Sequence, residues 1–86
     1  MPYHASSGFW SRYQALPPDV RRAADRAFAL LKQDPGHPSL HLKRVGPLWS
    51  AGVTQAARAL GVQADDGITL IWIGSHRDYE RLISRV

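Results

Sequence analysis

The sequence predicts an α+β fold in which an N-terminal helical hairpin packs on a small antiparallel sheet of three to four strands, followed by a short C-terminal helix. Three observations predict it. The first part of the chain spaces its apolar residues as helices do, the middle alternates with the period of a strand, and a helix cap follows the last apolar run. With 86 residues in all, we expect residues 1–86 to form one domain around a single core.

Composition and charge narrow the kinds of protein that this chain can be. The sequence has no cysteine, which excludes a disulfide framework and a cysteine-based zinc site. No apolar stretch approaches the roughly 20 residues that span a bilayer, and the start lacks a signal-peptide pattern, so we expect a cytoplasmic protein with no membrane partner. Eleven Lys and Arg face seven Asp and Glu. Nine of the eleven cations are Arg, and this bias points to an anionic partner, either nucleic acid or an acidic protein; an ordinary basic surface is the alternative.

Two helices are predicted at the start of the chain. The segment "SSGFWSRYQAL" (residues 6–16) spaces its apolar residues on one helical face and offers a serine as its cap. Pro17 and Pro18 end this helix and begin the next, because proline fits the first helical turn and not the interior. The second helix ends at "DPGHP" (residues 34–38) and has apolar residues at helical spacing, namely Val20, Ala23, Ala24, Ala27, Phe28 and Leu31.

The hydrophobic period then changes to that of strands. The candidate strands are "LHLKRV" (40–45), "LWSAGVT" (48–54), "ARALGV" (57–62) and "ITLIWI" (68–73). The third is either a continuation of the second after a bend or a separate strand. The dipeptide "GP" marks a turn before the second, and "ADDG" is a hairpin signal before the fourth. Because side chains alternate along a strand, His41 and Lys43 should share one side, and Lys43 and Arg44 should point to opposite sides.

The last segment predicts a short helix that starts where a strand ends. Ser75 followed by Asp78 is a capping pattern, so we expect a helix over residues 76–84. His76 then lies in its first turn, either as part of an ordinary capped turn or as an imidazole that moves a proton at the rim of a site. Because the two N-terminal helices cover one face of the sheet, the other face is the expected place for function.

Four segments, taken in order, resemble the RelE/ParE superfamily of bacterial type II toxins, and most of all its RelE-like, mRNA-cleaving branch. They are "FWSRYQALPPDVRRAADRAFALLKQDPGHPSLHLKRV", "WSAGV", "RALGV" and "WIGSHRDYERLI", which together cover roughly residues 9 to 83. The resemblance implies a small sheet flanked by an N-terminal helical hairpin. It also implies a ribosome-associated mRNA endonuclease that inhibits translation and is neutralised by an acidic antitoxin encoded alongside.

The resemblance assigns roles in a cleavage that uses no metal or other cofactor and in which the 2′-hydroxyl of the RNA attacks the phosphate. Arg58 matches a strand arginine that contacts the scissile phosphate in similar toxins. His76 matches a His or Arg that acts on the leaving group or the 2′-hydroxyl, and Tyr79 matches a tyrosine that orients the substrate. The residues also allow structural roles, which are an ion pair for Arg58, a plain capped turn for His76, and packing on the sheet for Tyr79.

Further basic residues are candidates for RNA contact. Of Lys43 and Arg44, at most one faces the cleft, and Lys43 is the better candidate; Arg77 adds a cation beside the last strand. Charges on the first two helices either meet ribosomal RNA or are simply solvated. They belong to Arg12, Arg21, Arg22, Arg26 and Lys32. His37 and His41 are four residues apart but a proline separates them, so no metal site is expected.

Gly52 departs from the family pattern. Similar toxins carry Arg or Lys there, beside the residue that matches Arg58, and loss of one such group can cost on the order of 10²–10³ in rate. The chain is therefore either a naturally weak toxin or one disarmed by substitution. Ala57 stands where many relatives have an aromatic residue. These departures keep two alternatives open: a ParE-like inhibitor of DNA gyrase without nuclease activity, and a binding module that acts through its antitoxin in operator repression.

Overall fold

The computed structural model describes residues 3–85, which form a five-stranded sheet with helices on both faces. The strands are β1 (Tyr3–Ala5), β2 (Lys43–Val45), β3 (Leu48–Thr54), β4 (Ala57–Ala64) and β5 (Gly67–Ser75). The helices are α1 (Ser7–Gln14), α2 (Pro18–Gln33) and α3 (His76–Ile83), and a single 3-10 turn (Pro38–Leu40) precedes β2. The predicted α+β fold, with its helical hairpin, sheet and short terminal helix, is confirmed. No helix within residues 3–85 is long and apolar enough to cross a membrane.

The sheet has one strand more than the sequence predicted, and it is mixed. Its order is β1-β5-β4-β3-β2. All neighbours are antiparallel except β1, which runs parallel to β5 with Tyr3 opposite Ile68 and Ala5 opposite Leu70. A three-residue strand is too short to show alternation, and it exists only because β5 provides hydrogen-bonding partners. The segment "ARALGV" belongs to a separate strand, β4, which answers the alternative that the sequence left open.

The helix starts follow from local capping. Ser6 caps α1, where its Oγ accepts a hydrogen bond from the Phe9 N–H at 3.1 Å. Helix α2 begins with Pro18, whose fixed φ suits the first turn. Ser75 caps α3 and accepts from the Asp78 N–H at 3.1 Å, as the S-x-x-D pattern predicts. The opening of α3 therefore places His76 at the end of β5.

The main core lies between the sheet and the helical hairpin. Its buried members are Phe9, Ala24, Ala27, Phe28, Leu31, Leu40, Ala59, Ile68, Leu70 and Ile73. The alanines of α2 allow that helix to approach the sheet closely. The Tyr13 hydroxyl donates to Asp25 at 2.6 Å and joins α1 to α2; this hydrogen bond raises the pKa of Tyr13. The hairpin is thus fixed both to the sheet and within itself.

A second, smaller cluster lies on the opposite face, where α3 packs. It consists of Leu60, Trp72 and Tyr79. Side chains alternate along β4, so that Ala59 enters the main core and Leu60 enters this cluster. The face that the sequence left for function is therefore partly covered by α3, and the site has to lie beside that helix.

The segment at residues 40–45 differs from its prediction as one strand. Only Lys43–Val45 is extended, because Pro38 begins the 3-10 turn and the Nδ1 of His37 accepts from the Ser39 N–H at 3.2 Å. His41 ends this turn with the left-handed angles φ 45° and ψ 44°. The turn brings the main chain of residues 39–41 over the end of β3, where it forms one wall of a cleft.

Candidate functional site

A cleft of about 290 Å³ lies between the 3-10 turn, the ends of β3 and β4, and the first turn of α3. Its lining residues are Ser39, His41, Gly52, Val53, Thr54, Gln55, Arg58 and His76. Arg58 and His76, which the sequence selected separately, therefore meet at one cleft. Within the described lining, Arg58 is the one Lys or Arg, and no Asp or Glu is present.

Neutral groups hold the Arg58 side chain, which is only 8 % exposed. Its Nε and Nη2 donate to the Oγ of Ser50 at 3.0 and 2.7 Å. Nη2 also donates to the carbonyl of His41 at 3.2 Å, and the guanidinium carbon lies 5.0 Å from the ring centroid of Tyr79. These contacts fix the guanidinium on the cleft floor.

No carboxylate offsets the charge of Arg58. None of the ion pairs formed within residues 3–85 includes it. Its Nη1 donates no hydrogen bond to the described residues. Every buried side-chain nitrogen of the described residues has a hydrogen-bond partner, so Nη1 is not a buried atom and is open to the cleft. A buried cation without a counter-ion is costly, and a bound anion would reduce that cost. The cleft is therefore suited to an anion.

His76 stands at the rim of the same cleft. Its backbone N–H donates to the Ala56 carbonyl at 2.8 Å, which anchors the start of α3 to β4. The imidazole side chain is 46 % exposed, and its Nε2 lies 2.9 Å from Oε1 of Glu80. Since Glu80 occupies Nε2, Nδ1 is the ring nitrogen left for a ligand.

Tyr79 lies beneath Arg58 and outside the cleft lining. It is 1 % exposed, and its hydroxyl accepts a hydrogen bond from Ser50 at 3.0 Å. Three residues after His76, Tyr79 lies on the same side of α3, and the two ring centroids are 5.5 Å apart. The Tyr79 ring is buried against the sheet, whereas the His76 imidazole is half exposed at the rim. A side chain this deeply buried does not reach a substrate in the cleft. The structure accordingly supports the packing role that the sequence offered for Tyr79, and gives it a second one as support for Arg58.

The other predicted RNA contacts surround the cleft and do not line it. Lys43 pairs with Ser50 in the sheet and so shares the face of Arg58, while the guanidinium of Arg44 lies 5.0 Å from the Trp49 ring on the other face. This opposite orientation is the one the alternation predicted. Arg77 is exposed in the first turn of α3. All three remain available to more distant phosphates.

Gly52 lies opposite Arg58 in the β3–β4 ladder, beside the guanidinium, as the resemblance implied. A Cβ at this position would lie 3.1 Å from the carbonyl oxygen of Leu40, 3.3 Å from Nη1 of Arg58 and 3.6 Å from the carbonyl oxygen of Ser39. The glycine therefore lets the 3-10 turn approach the sheet and close the cleft. Its presence has a packing reason, whatever its effect on catalysis.

Two residues of the site were missed in the sequence. Ser50 was treated only as part of a strand, although alternation along β3 places it on the same face as Gly52 and Arg58. His41 was assigned to a strand, although proline three residues earlier is typical of a short turn. Within residues 3–85 no group of three or more metal-ligating side chains is placed to hold an ion.

A second cleft, of about 300 Å³, lies along α3 away from His76. Its lining residues are Arg12, Trp72, Asp78, Arg81, Leu82 and Arg85. Three arginines here face a single carboxylate. Of the helix cations predicted to meet RNA, Arg12 is the one that contributes to this basic surface.

Comparisons with known proteins were made for the sequence and for the structure. No family model matches the chain, and no curated protein sequence matches it. Among solved structures, a chain of the RelB–RelE antitoxin–toxin complex from Methanococcus jannaschii is similar with a TM-score of 0.72 at 8% identity, over 92% of this chain and 96% of that one.

Two further structures agree with the first. The YoeB/ParE toxin from Agrobacterium tumefaciens is similar with a TM-score of 0.69 at 14% identity, over 88% of this chain and 99% of that one. The isolated Escherichia coli RelE toxin gives 0.63 at 12% identity, over 96% and 95%. At such identities the likeness concerns the fold, and it extends over nearly the full length of each chain. The described chain thus has the fold of the RelE/ParE superfamily of toxins.

Proposed function

We propose that this chain is the toxin of a type II toxin–antitoxin system and cleaves RNA at a phosphodiester bound by Arg58. One observation carries the proposal: a buried guanidinium without a carboxylate partner turns its free Nη1 into a cleft that also holds an imidazole. A phosphodiester supplies the missing negative charge, and cleavage of RNA at that group requires the proton transfer that an imidazole provides.

The chemistry follows from the two side chains. The 2′-oxygen of the RNA attacks phosphorus, the O2′–P bond forms and the P–O5′ bond breaks, which leaves a 2′,3′-cyclic phosphate and a 5′-hydroxyl. Arg58 orients the phosphate and stabilises the negative charge that grows in the transition state. His76 takes part in moving the proton from the 2′-oxygen to the 5′-oxygen.

The finer proposal concerns substrate and partners. The sequence resemblance implies mRNA on the ribosome as the substrate. The exposed Lys43 and Arg77 provide cations on the side of the cleft for neighbouring phosphates, whereas Arg44 lies on the other face of the sheet. The formal net charge of +4 favours an acidic antitoxin. The similarity to a chain of an antitoxin–toxin complex supports the same kind of partner.

A second candidate function has one observation in its favour. The cleft contains a single Lys or Arg, since Gly52 occupies the position at which similar toxins carry another. A site with this weak positive charge suits a ParE-like gyrase inhibitor, which needs no nuclease chemistry. Induction of the chain in cells separates the two: rapid loss of translated messages supports RNA cleavage, whereas a DNA-damage response with intact messages supports the gyrase target.

The direct test is cleavage of ribosome-bound mRNA by the purified chain and by Arg58→Met. Methionine fills similar space without the charge, and we expect a loss on the order of 10²–10³ in rate. The matched control is Arg85→Met, which removes the same charge from an exposed position just after α3 and should leave cleavage nearly unchanged. Cleavage by Arg58→Met at the wild-type rate would contradict the proposal.

A further inference from the structure

We propose that His41 is a second proton-transfer residue of this cleft, which acts together with His76 on the phosphodiester that Arg58 holds. The inference rests on the proposed RNA cleavage and adds a catalytic residue to it. Neither the strand pattern nor the family resemblance assigned His41 a role.

The position of His41 is tied directly to Arg58. The His41 carbonyl accepts from Nη2 of Arg58 at 3.2 Å, and His41 is one of the residues that line the cleft. Within residues 3–85 the His41 imidazole has no hydrogen bond, ion pair or ring contact. An exposed residue with an unpartnered imidazole is thus held, through its main chain, against the guanidinium that would bind the phosphate.

The backbone of His41 is in an unusual state. Its φ of 45° is the only positive φ at a non-glycine residue within 3–85. Glycine and asparagine adopt this left-handed conformation more readily, and such conformations often mark functional sites. The turn that imposes it is fixed by the His41 N–H, which donates to the Pro38 carbonyl at 3.2 Å, and by the contact with Arg58.

The reaction needs two proton transfers, and the cleft offers two groups for them. One group removes the proton of the 2′-hydroxyl while the O2′–P bond forms; another delivers a proton to the 5′-oxygen while the P–O5′ bond breaks. Arg58 stays charged throughout and gives up no proton. Two of the described lining residues, His41 and His76, carry an imidazole, a ring that can both accept and donate a proton. After the reaction, the imidazole that acted as base releases its proton to water, and the imidazole that acted as acid takes up a proton from water, which restores the starting state.

The test is the pH dependence of kcat and kcat/KM for cleavage of ribosome-bound mRNA. We expect a bell-shaped profile for the wild-type chain. His41→Asn should remove one limb of the bell and lower kcat by about 10²–10⁴-fold, with KM little changed. Asparagine tolerates the left-handed backbone, so this variant should unfold at the same urea concentration as wild type or a higher one. His4→Ala is the matched control, since it removes an exposed histidine outside the cleft.

A second substrate identifies the role. The second substrate carries sulfur in place of the 5′-oxygen at the cleaved bond, and this sulfur leaves without a proton. The rate defect of His41→Asn should therefore disappear on this substrate if His41 is the acid. It should persist if His41 is the base. A stably folded His41→Asn that keeps both limbs, or that changes KM alone, would overturn the proposal. If the wild-type chain itself cleaves no RNA, the proposed function fails first, and the two failures remain distinct.

Discussion

Ser50→Ala tests whether the buried arginine is held as described. The Oγ of Ser50 accepts from Nε and Nη2 of Arg58 and donates to the hydroxyl of Tyr79, at 3.0, 2.7 and 3.0 Å. Alanine removes all three hydrogen bonds and leaves Nε of a buried guanidinium without an acceptor. Nη2 keeps only the carbonyl of His41.

The expected loss is large for so small a change. A hydrogen bond to a charged group contributes about 1.5–3 kcal/mol, and a buried donor left unpaired adds to the cost. We therefore expect Ser50→Ala to lower the free energy of unfolding by about 2–4 kcal/mol, out of a total of about 5–15 kcal/mol for a typical domain. At about 4–8 °C per kcal/mol, Tm should fall by about 8–32 °C.

Urea unfolding provides the assay, with the variants Ser50→Ala, Tyr79→Phe, Ser84→Ala, Arg58→Met and the double variant Ser50→Ala/Arg58→Met. Tyr79→Phe removes only the hydroxyl that accepts from Ser50 and should cost about 1 kcal/mol. Ser84→Ala is the control: this exposed serine donates to the Arg81 carbonyl, and its loss should stay within about 0.5 kcal/mol. In the double variant with Arg58→Met, the effect of Ser50→Ala should shrink by about 1 kcal/mol or more, because the buried charge is gone. Simple additivity of the two changes would refute the reasoning.

Three further predictions concern the cleft and the surface. Gly52→Ala brings a methyl group 3.1 Å from the Leu40 carbonyl oxygen, so we expect the free energy of unfolding in urea to fall by about 1–3 kcal/mol. A variant as stable as wild type would show that the 3-10 turn can shift without an energetic cost. Inorganic pyrophosphate at 100 times its Kd should stabilise wild type by about 2.7 kcal/mol in thermal melts. An equal effect on Arg58→Met would place the anion elsewhere. The hydrogen bond from His4 lowers the pKa of Asp66, so this exposed pair supports folding above the unfolded pKa of the carboxyl group and less as pH falls through the lowered value. His4→Ala should raise the Asp66 pKa in an NMR titration of the carboxyl carbon; an unchanged value would contradict the hydrogen bond.

Local signals in the sequence predicted much of this fold. Ser75 with Asp78 gave the start of α3, and the proline pair gave the boundary between α1 and α2, because capping depends on residues within one turn. These features need no knowledge of distant parts of the chain.

Other features depend on contacts between distant segments, and the sequence did not reveal them. Tyr79 packs under Arg58 only once α3 folds back over β4, so its helical position alone could not separate substrate contact from core. The left-handed angle of His41 arises where the 3-10 turn meets the arginine. Strand β1 has no pattern of its own and is specified by the free edge of β5.

The parallel pairing of β1 with β5 has a consequence for how the molecule is made. Residues 3–5 leave the ribosome early, yet their partners at 68–70 follow only after both hairpin helices and three more strands. Until β5 is made, β1 has no partner strand, and until β1 docks, β5 has one unsatisfied edge; such edges invite pairing between nascent chains. Contacts this far apart in sequence slow folding relative to a helical bundle of equal length. A late-closing edge strand should therefore make yield sensitive to the rate of translation.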